Sequence, residues 1–321
     1  MVKDKVLEIL ESHKGIRVSG QDIADKLSIT RSAVWKAINM LRAEGYDIPA
    51  TTNNGYLLVE ENDIITEQSI MPYIRGAAKK YSIIVKNRVG STNSELKKLA
   101  AAIEYEKEGL VLIANEQTAG RGRLGRSFYS PADSGIYMSV LLRPDLKPKD
   151  AMIITAVAAV SAARAIEKRY GIKVGIKWVN DLYYKGKKVA GILTEGGINI
   201  ENGMLDYVVL GIGVNIFTEV FPDEIKDTAG SLFERKTGRS RLAAEILNHL
   251  AVDLKNPLDK SYISEYRERS VILGNEIYVL KNGRKIPAVA VGIEDNARLA
   301  VRYKDGKTEV LSSDEISIKR R

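Results

Sequence analysis

From Ala151 to Ala163 the chain runs without a charge, inside a longer Ala-rich stretch, Lys149–Tyr170, that reads as one helix. A helix that is apolar on most sides needs cover on most sides. It cannot lie on the outside of a small domain, and it calls for a large layer to pack against. Neighbouring apolar runs read as strands that could form that layer: Leu110–Ala114, Tyr137–Leu142, Val174–Trp178, Val189–Thr194 and Tyr207–Val214. A mixed α/β body over residues 63–270 is therefore expected. A chain of 321 residues leaves room for one or two further domains around it.

Composition narrows the chemistry. There is no Cys, and the two His, His13 and His249, stand far apart, which counts against disulfides, thiol catalysis, a Cys/His metal site and a His general base. No apolar run is long enough to cross a bilayer, and the N-terminus MVKDKVLEILES is charged and amphipathic, without a signal-peptide core. A cytoplasmic protein with no membrane partner is expected. The net charge of +8 suits an anionic partner.

Residues 1–58 read as three helices and a hairpin. Val6, Leu7, Ile9 and Leu10 give the first helix an apolar side. Ser19 opens the second, with Asp22 three residues on, and Ile23, Ala24 and Leu27 form its buried face. Thr30 caps the third, which ends near Glu44 with Gly45 beyond it. In that helix Val34, Ile38 and Leu41 make one inward stripe, leaving Arg31, Ser32, Trp35, Lys36, Asn39 and Arg42 for the other faces. Residues 46–48 and 56–58 flank Asn53-Asn54-Gly55 as a hairpin would. This order is that of a winged helix-turn-helix, with the third helix for the major groove and the hairpin for the wing. A small helical dimerisation module is the alternative. Residues 1–60 are neutral in sum, yet Arg31, Lys36 and Arg42 share a helix with no acid before Glu44, and phosphate contacts need only a few well-aimed cations.

The acidic linker 59–63 separates this unit, residues 1–62, from the central body. Residues 271–321 change character again. Short strands at Glu276–Leu280, Ala288–Ile293, Leu299–Tyr303, Thr308–Leu311 and Ile316–Lys319, divided by turns at Asn282-Gly283, Asp295-Asn296 and Asp305-Gly306, read as a small antiparallel β-barrel.

The chemistry concentrates in Asn115–Phe128, NEQTAGRGRLGRSF. Gly120, Gly122 and Gly125 satisfy G-x-G-x-x-G, but the following Phe-Tyr-Ser-Pro-Ala-Asp-Ser-Gly opens no helix, so the dinucleotide reading fails on context. Arg121, Arg123 and Arg126 alternate with the glycines. Glycines let a backbone approach a ligand and guanidiniums clamp phosphate or carboxylate, so this loop is expected to close over an anion. The alternative is a solvated basic surface loop. Upstream, Gly90-Ser91-Thr92-Asn93-Ser94 lies between the strand Ile83–Lys86 and a helix beginning near Ser94, where it either caps that helix or binds a polar head group. Downstream, GIKWVNDLYY and KKVAGILTE read as two strands joined at Lys185-Gly186, with Lys177, Asn180 and Asp181 close together and Lys188 opening the second. Lysines beside apolar strands are costly unless they meet an anion. Gly211-Ile212-Gly213-Val214-Asn215 ends an apolar strand with an amide, as the wall of a binding site would. Trp178 and Phe128 could stack on a ring or simply belong to the core.

Five motifs, GSTN at 90–93, GRGRLGR at 120–126, KWVNDLY at 177–183, KKVAGIL at 187–193 and GIGVNI at 211–216, resemble in order and spacing those of the biotin–protein ligases, in the form with an N-terminal repressor domain. The resemblance covers nearly the whole chain. It implies an α+β multidomain protein with a class II synthetase-like catalytic domain. It also implies an AMP-forming reaction with biotin and ATP as substrates, Mg²⁺, no bound prosthetic group, and transfer to a lysine of biotin carboxyl carrier protein. By motif, Ser91, Thr92, Asn93 and Gln117 line the biotin head-group pocket, while Gly120, Arg121 and Arg123 fold over carboxylate and phosphate. Lys188 holds the acyl-phosphate oxygens, Gly191 and Leu193 supply wall contacts, and Lys177, Asn180, Asp181 and Asn215 serve the nucleotide or the metal. Arg123, Lys188 and Asp181 are the implied catalytic groups, with Arg126, Phe128 and Lys319 also on the nucleotide side. Val179 stands where many members have Pro, Phe128 where others have Trp, Leu124 in a commonly basic place, and Lys319 for a nucleotide-contacting Arg.

The resemblance further implies a homodimer formed on adenylate binding, reading a two-fold operator, with loop 120–126 and the stretch Thr218–Thr228 as ordering elements. Rivals are a ligase without regulatory DNA binding, a biotin-sensing repressor without catalysis, and a lipoate ligase. The Arg loop and Lys188 argue against the sensor, and GRGRLGR with KWVND against lipoate.

Overall fold

The computed structural model describes residues 1–49, 55–59, 63–102, 109–199, 201–235, 238–281, 283–312 and 315–318. The first unit contains α1 (Val2–Ser12), β1 (Arg17–Val18), α2 (Gly20–Leu27), α3 (Arg31–Ala43) and β2 (Tyr56–Leu57). Its capping chemistry follows the sequence: Ser19 Oγ accepts from Gln21 N, Thr30 Oγ1 from Ala33 N, and Gly45 takes the left-handed conformation (φ 93°) just beyond α3. Val6, Leu7, Leu10, Ile23, Val34, Ile38 and Leu41 close a core of their own. The hairpin departs from expectation. β2 pairs antiparallel with β1, Val18 opposite Tyr56, and residues 46–48 meet the segment around β2 through the backbone bond from Val59 N to Asp47 O at 3.2 Å. β1 follows α1 directly and reaches the sheet edge first, a long-range pairing that local turn residues do not reveal. Asn53 and Asn54 lie outside the described residues.

The central body holds α4 (Glu67–Ile70), β3 (Ser82–Val89), α5 (Thr92–Ala102), β4 (Leu110–Gln117), β5 (Gly135–Leu142), α6 (Ala151–Tyr170), β6 (Gly175–Lys177), β7 (Asp181–Tyr184), β8 (Lys187–Ile198), β9 (Leu205–Asn215), α7 (Arg239–Asp253) and α8 (Ser261–Glu268). Seven strands make one sheet in the order β3-β4-β5-β9-β8-β7-β6, parallel only between β3 and β4. The expected strand GIKWVNDLYY is two: β6 and β7 fold back on each other, so Lys177 faces Asp181 across a hairpin.

Both faces of the sheet are covered, which explains the unbroken apolar runs. On β4, Val111 and Ile113 join the main core with α6, while Leu110 and Leu112 pack on the opposite side with Leu96 and Ala100 of α5. The uncharged helix α6 lies between the sheet and helices α7 and α8, held at its polar positions by Ser161 and Arg164 to Asp253, Arg164 to Glu265, and Thr155 to Thr194 of β8.

The C-terminal strands β10 (Glu276–Lys281), β11 (Arg284–Ile293), β12 (Leu299–Tyr303), β13 (Thr308–Leu311) and β14 (Glu315–Ile318) form an antiparallel sheet in the order β13-β12-β11-β10-β14. Among the described residues no pairing closes it, so an antiparallel sheet stands where a barrel was expected. Its inner residues Ile277, Val279, Ala290, Leu299 and Val301 continue the core of the central body. Asn282 and Lys319 lie outside the described residues. No helix among the described residues is long and apolar enough to cross a membrane.

Where the linker from the first unit enters the central body stands a buried ion pair. Arg239, 1% exposed, donates from Nε to Asp63 Oδ2 (2.8 Å), and its backbone N–H donates to Asp63 Oδ1 (2.8 Å). Nη1 reaches Asn115 and Gly135 O, and Nη2 reaches Asp63 O and Asp133. Removing one partner of such a pair strands the other charge, so Asp63→Ala should lower stability by about 3–5 kcal/mol in urea unfolding. Nearby, Tyr73 Oη donates to Glu11 O (3.1 Å), and burial pushes the Glu11 carboxyl up to about 7 despite Lys14 at 3.5 Å. The native state therefore holds that proton more tightly than the unfolded chain. Its stabilisation is complete below the unfolded value near 4.5 and is lost as pH rises through about 7. Glu11→Gln should remove this pH dependence and leave the variant more stable than the parent at pH 8, as thermal melts at pH 5 and 8 would reveal.

Candidate active site

A cavity opens on the α5 side of the sheet, bounded by the start of α5, the loop after β4, the β6–β7 hairpin and the middle of β8 and β9. Its floor is made by glycines. Gly191 of β8 pairs with Gly213 of β9, and Leu193 with Gly211. A Cβ on Gly213 would stand 2.5 Å from the Phe128 ring, and one on Gly211 2.2 Å from Asn93 Oδ1. Neither contact is possible for a larger residue, so these glycines admit the Phe128 ring and the Asn93 amide onto the sheet.

One end of the cavity is polar and uncharged. Ser91 caps α5 weakly (3.5 Å to Ser94 N), and Thr92 donates from N (2.8 Å) and Oγ1 (3.1 Å) to Gln117 Oε1. Gln117 Nε2 in turn donates to Ser130 Oγ at 2.9 Å. Ser139 of β5, fully buried, places Oγ 2.6 Å from Asn93 Oδ1 and 2.8 Å from Thr92 Oγ1. Asn93 Nδ2 donates to Glu195 Oε2 (2.9 Å) and faces Leu193 O (3.3 Å). Capping and ligand-facing roles thus divide within GSTN: Ser91 caps, while Thr92 and Asn93 are held toward the sheet.

The other end is cationic. Arg121, Arg123, Arg126, Lys177 and Lys188 line it with the single carboxylate Asp181, whose Oδ1 lies 2.6 Å from Lys188 Nζ. An end lined by five cationic side chains and one carboxylate favours an anionic ligand. The Arg loop is a folded turn: Gly122 N donates to Arg126 O (2.7 Å), Arg126 N donates to Arg123 O (3.2 Å), and Arg121 bridges Ser127. Leu124 (φ 55°) and Gly125 (φ 75°) are both left-handed at its tip. For Leu124, 70% exposed, that conformation costs roughly 1–2 kcal/mol. Arg121 rests 3.5 Å from Glu195. The Lys188 backbone is pinned by the end of the 218–228 stretch, Lys188 N to Thr228 O and Gly230 N to Lys188 O, each 2.8 Å.

Nearly all the residues singled out in the motifs meet here, with two exceptions. Gly120 is buried behind the loop, where a Cβ would stand 2.3 Å from Phe128 O, so it shapes the loop and does not line the cavity. Asn215 is also buried away from the cavity, donating from Nδ2 to Gly230 O at 3.1 Å. Asn180 lines the cavity while its Nδ2 donates to Ile192 O at 2.8 Å. Trp178 is both wall and core, its Nε1 donating to Ala297 O (2.7 Å) of the C-terminal unit, which also brings Ile316 to the cavity. Ser139, Glu195, Tyr137 and Met138 were not singled out from sequence. They sit in ordinary strand patterns, and only Glu195, a lone acid after an apolar run, carried a signal. Among the described residues no group of three His, Asp or Glu is placed to hold a metal.

On the first unit, Arg31, Ser32, Trp35 (56% exposed) and Lys36 face outward along α3. Arg42 is engaged instead, donating to Ile48 O (2.7 Å) and Asn39 Oδ1 (3.2 Å).

Residues 85–215 match the biotin/lipoate A/B protein ligase family, and residues 2–57 match a helix-turn-helix domain. The chain is 32% identical to the bifunctional ligase/repressor BirA of Bacillus spizizenii, covering 98% of both chains. It is 27% identical to the Escherichia coli K12 protein of the same name, over 94% of this chain and 92% of that one. Among solved structures, the biotin protein ligase of Aquifex aeolicus in complex with biotin and ATP superposes with a TM-score of 0.62 at 29% identity, over 74% of this chain and 99% of that one. Fold, cavity and similarity agree that the chain belongs to the biotin/lipoate A/B protein ligase family, in the form that joins the ligase to an N-terminal helix-turn-helix domain.

Proposed function

We propose that this chain activates biotin with ATP and transfers it to one lysine of a biotin carboxyl carrier protein, and that it represses transcription with biotinyl-5′-AMP as corepressor. The observation that carries the reading is a cavity with a neutral hydrogen-bonding end and a cationic end. An uncharged bicyclic head with a carboxylate tail, joined to a nucleotide, has that same polarity.

In the first step a biotin carboxylate oxygen attacks the α-phosphorus of ATP, the bond to the β-phosphate breaks and pyrophosphate leaves. Two anions must approach, so their repulsion has to be offset by fixed cations. We assign that work to Arg121, Arg123, Arg126, Lys177 and Lys188. Ser91, Thr92, Asn93 and Gln117 take the head group, Gly191 and Leu193 form its wall, and Phe128 and Asn180 bound the nucleotide side; Gly120 and Asn215 act by shaping the loop and the 230 segment. In the second step the carrier amine attacks the acyl carbon and AMP leaves. Asp181 is the carboxylate placed to orient Lys188 and to receive the amine proton. A single carboxylate suffices for Mg²⁺ only where substrate phosphates supply further oxygens, so such an ion would enter with the nucleotide and offset its charge.

For DNA, Arg31, Ser32, Trp35 and Lys36 form the outward set on α3, with Asn39 and Arg42 bracing the helix beside the groove. A two-fold operator calls for a homodimer, which we place on the central body. The division 1–62, 63–270 and 271–321, with the last sheet curving toward a small barrel, completes this reading.

Mass spectrometry of a carrier domain incubated with the protein, biotin, ATP and Mg²⁺ tests the ligase. One added biotin on a single lysine is expected; no addition while calorimetry still detects biotin binding would make the protein a sensor without catalysis. Gly211→Ala should cost roughly tenfold or more in biotin affinity by displacing Asn93. Unchanged affinity in a folded variant would remove Asn93 from the head-group pocket.

A further inference from the structure

Three groups, Asn93 and Arg121 from the recognised motifs and Lys97 from outside them, meet at one carboxylate. Glu195 lies on β8 two and four residues beyond Leu193 and Gly191, so all three point to the cavity side of the sheet, while Thr194 points to α6. Its Oε2 accepts from Asn93 Nδ2 (2.9 Å), and its Oε1 lies 2.7 Å from Lys97 Nζ and 3.5 Å from Arg121 Nη1. Asn93 and Lys97 are one turn apart on α5, and Arg121 belongs to the Arg loop. One side chain on the sheet thus ties down both the helix that bears the neutral pocket and the loop that bears the cations. Burial works against its charge, but the bonds from Lys97 and Asn93 outweigh burial and hold the carboxyl below its usual range.

The Asn93 amide has no freedom left. Its NH₂ is directed to Glu195 and Leu193 O, and its oxygen takes the hydroxyl of Ser139. An amide can be flipped at little cost unless its neighbours distinguish donor from acceptor. A carboxylate accepts only, so Glu195 forces the NH₂ toward itself and leaves Oδ1 as the acceptor nearest the cavity floor. Gly211, with no Cβ, is what lets that oxygen reach there.

We infer that Glu195 is a positioning residue with two tasks: it fixes Asn93 as a hydrogen-bond acceptor for the head group, and it holds Arg121 until a substrate carboxylate takes its place. The inference rests on the proposed biotin reading and adds a residue that selects a ligand N–H donor at one end and competes with the ligand's anion at the other. When biotin enters, its carboxylate and Glu195 both call on Arg121. Because Arg121 is half exposed, that ion pair is a weak one, and its release is a small cost.

Two probes separate the tasks: biotin, and biotinamide, which keeps the head group and lacks the carboxylate. Calorimetry on the full chain should give weaker binding of both probes to Glu195→Ala, by roughly tenfold, since Asn93 loses its orientation. Glu195→Gln keeps an acceptor for Asn93 and frees Arg121. It should recover biotinamide affinity and bind biotin about two- to five-fold more tightly than the parent, the ceiling set by an exposed ion pair. In an Arg121→Met background the gain from Gln should vanish. If Gln and Ala weaken both probes alike in folded protein, Glu195 is only a structural brace and the inference fails. If biotin and biotinamide respond identically to Gln, the competition for Arg121 fails. A parent that binds neither probe overturns the biotin reading itself, which distinguishes that outcome from the other two.

Discussion

A guanidinium buried to 1% exposure, that of Arg239, stands where the linker enters the central body. Dehydrating Arg239 costs several kcal/mol, and only a complete set of acceptors offsets that. The set is drawn from Asp63 at the end of the linker, from Asn115 on β4, from Gly135 on β5 and from Asp133, which also accepts from Asn115 at 2.8 Å. The point where the DNA-binding unit enters the body is thereby fixed to the segment between the Arg loop and β5. Tyr73 and Glu11 add a second tie at the end of α1. The position of the first unit is therefore set by buried polar chemistry together with apolar packing, in which Ile64, just past the linker, lies against the first unit's own core.

The same sheet serves stability on one face and binding on the other. Val208, Leu210, Ile212 and Val214 of β9 go to the α6 side, while Val209 packs under α5 and Gly211 and Gly213 leave the floor open. Had those two glycines been valines, the site would be filled with core. The alternation of a strand thus separates two demands within one segment, since each residue answers to only one face. Phe128 is seated on the floor with Tyr137 edge-on at 6.4 Å, which closes the aromatic side of the cavity without adding charge.

Electrostatics then divides the cavity. Lys97 and Arg121 are matched at Glu195, and Lys188 at Asp181. The Arg loop is not left to its mutual repulsion: two left-handed residues at its tip and the Gly122–Arg126 bond fold it as a turn. Leu124, in a strained backbone and exposed, marks the place where that turn is least at ease.

The local signals in the sequence carried far. Apolar periodicity located α1 to α3 and α6, and cap residues placed the helix starts at Ser19 and Thr30, because these depend on neighbours within a turn. The motif glycines, arginines and lysines met in one cavity, because groups shaped for anion binding have few other uses together. What the sequence did not disclose depends on partners distant along the chain. β2 joins β1 across almost forty residues, GIKWVNDLYY folds into a hairpin, and α7 was not anticipated although it brings Arg239 to Asp63. That Gly120 lies behind the loop and Asn215 against the 230 segment is likewise decided by the fold. Glu195 and Ser139 acquire meaning only when β8 and β5 deliver them to Asn93. The sequence by itself determined the chemistry and the local elements, since both reside in side chains and short-range backbone preference. Tertiary structure alone decided which of those side chains share a cavity, because burial and charge pairing are properties of residues brought together from far apart.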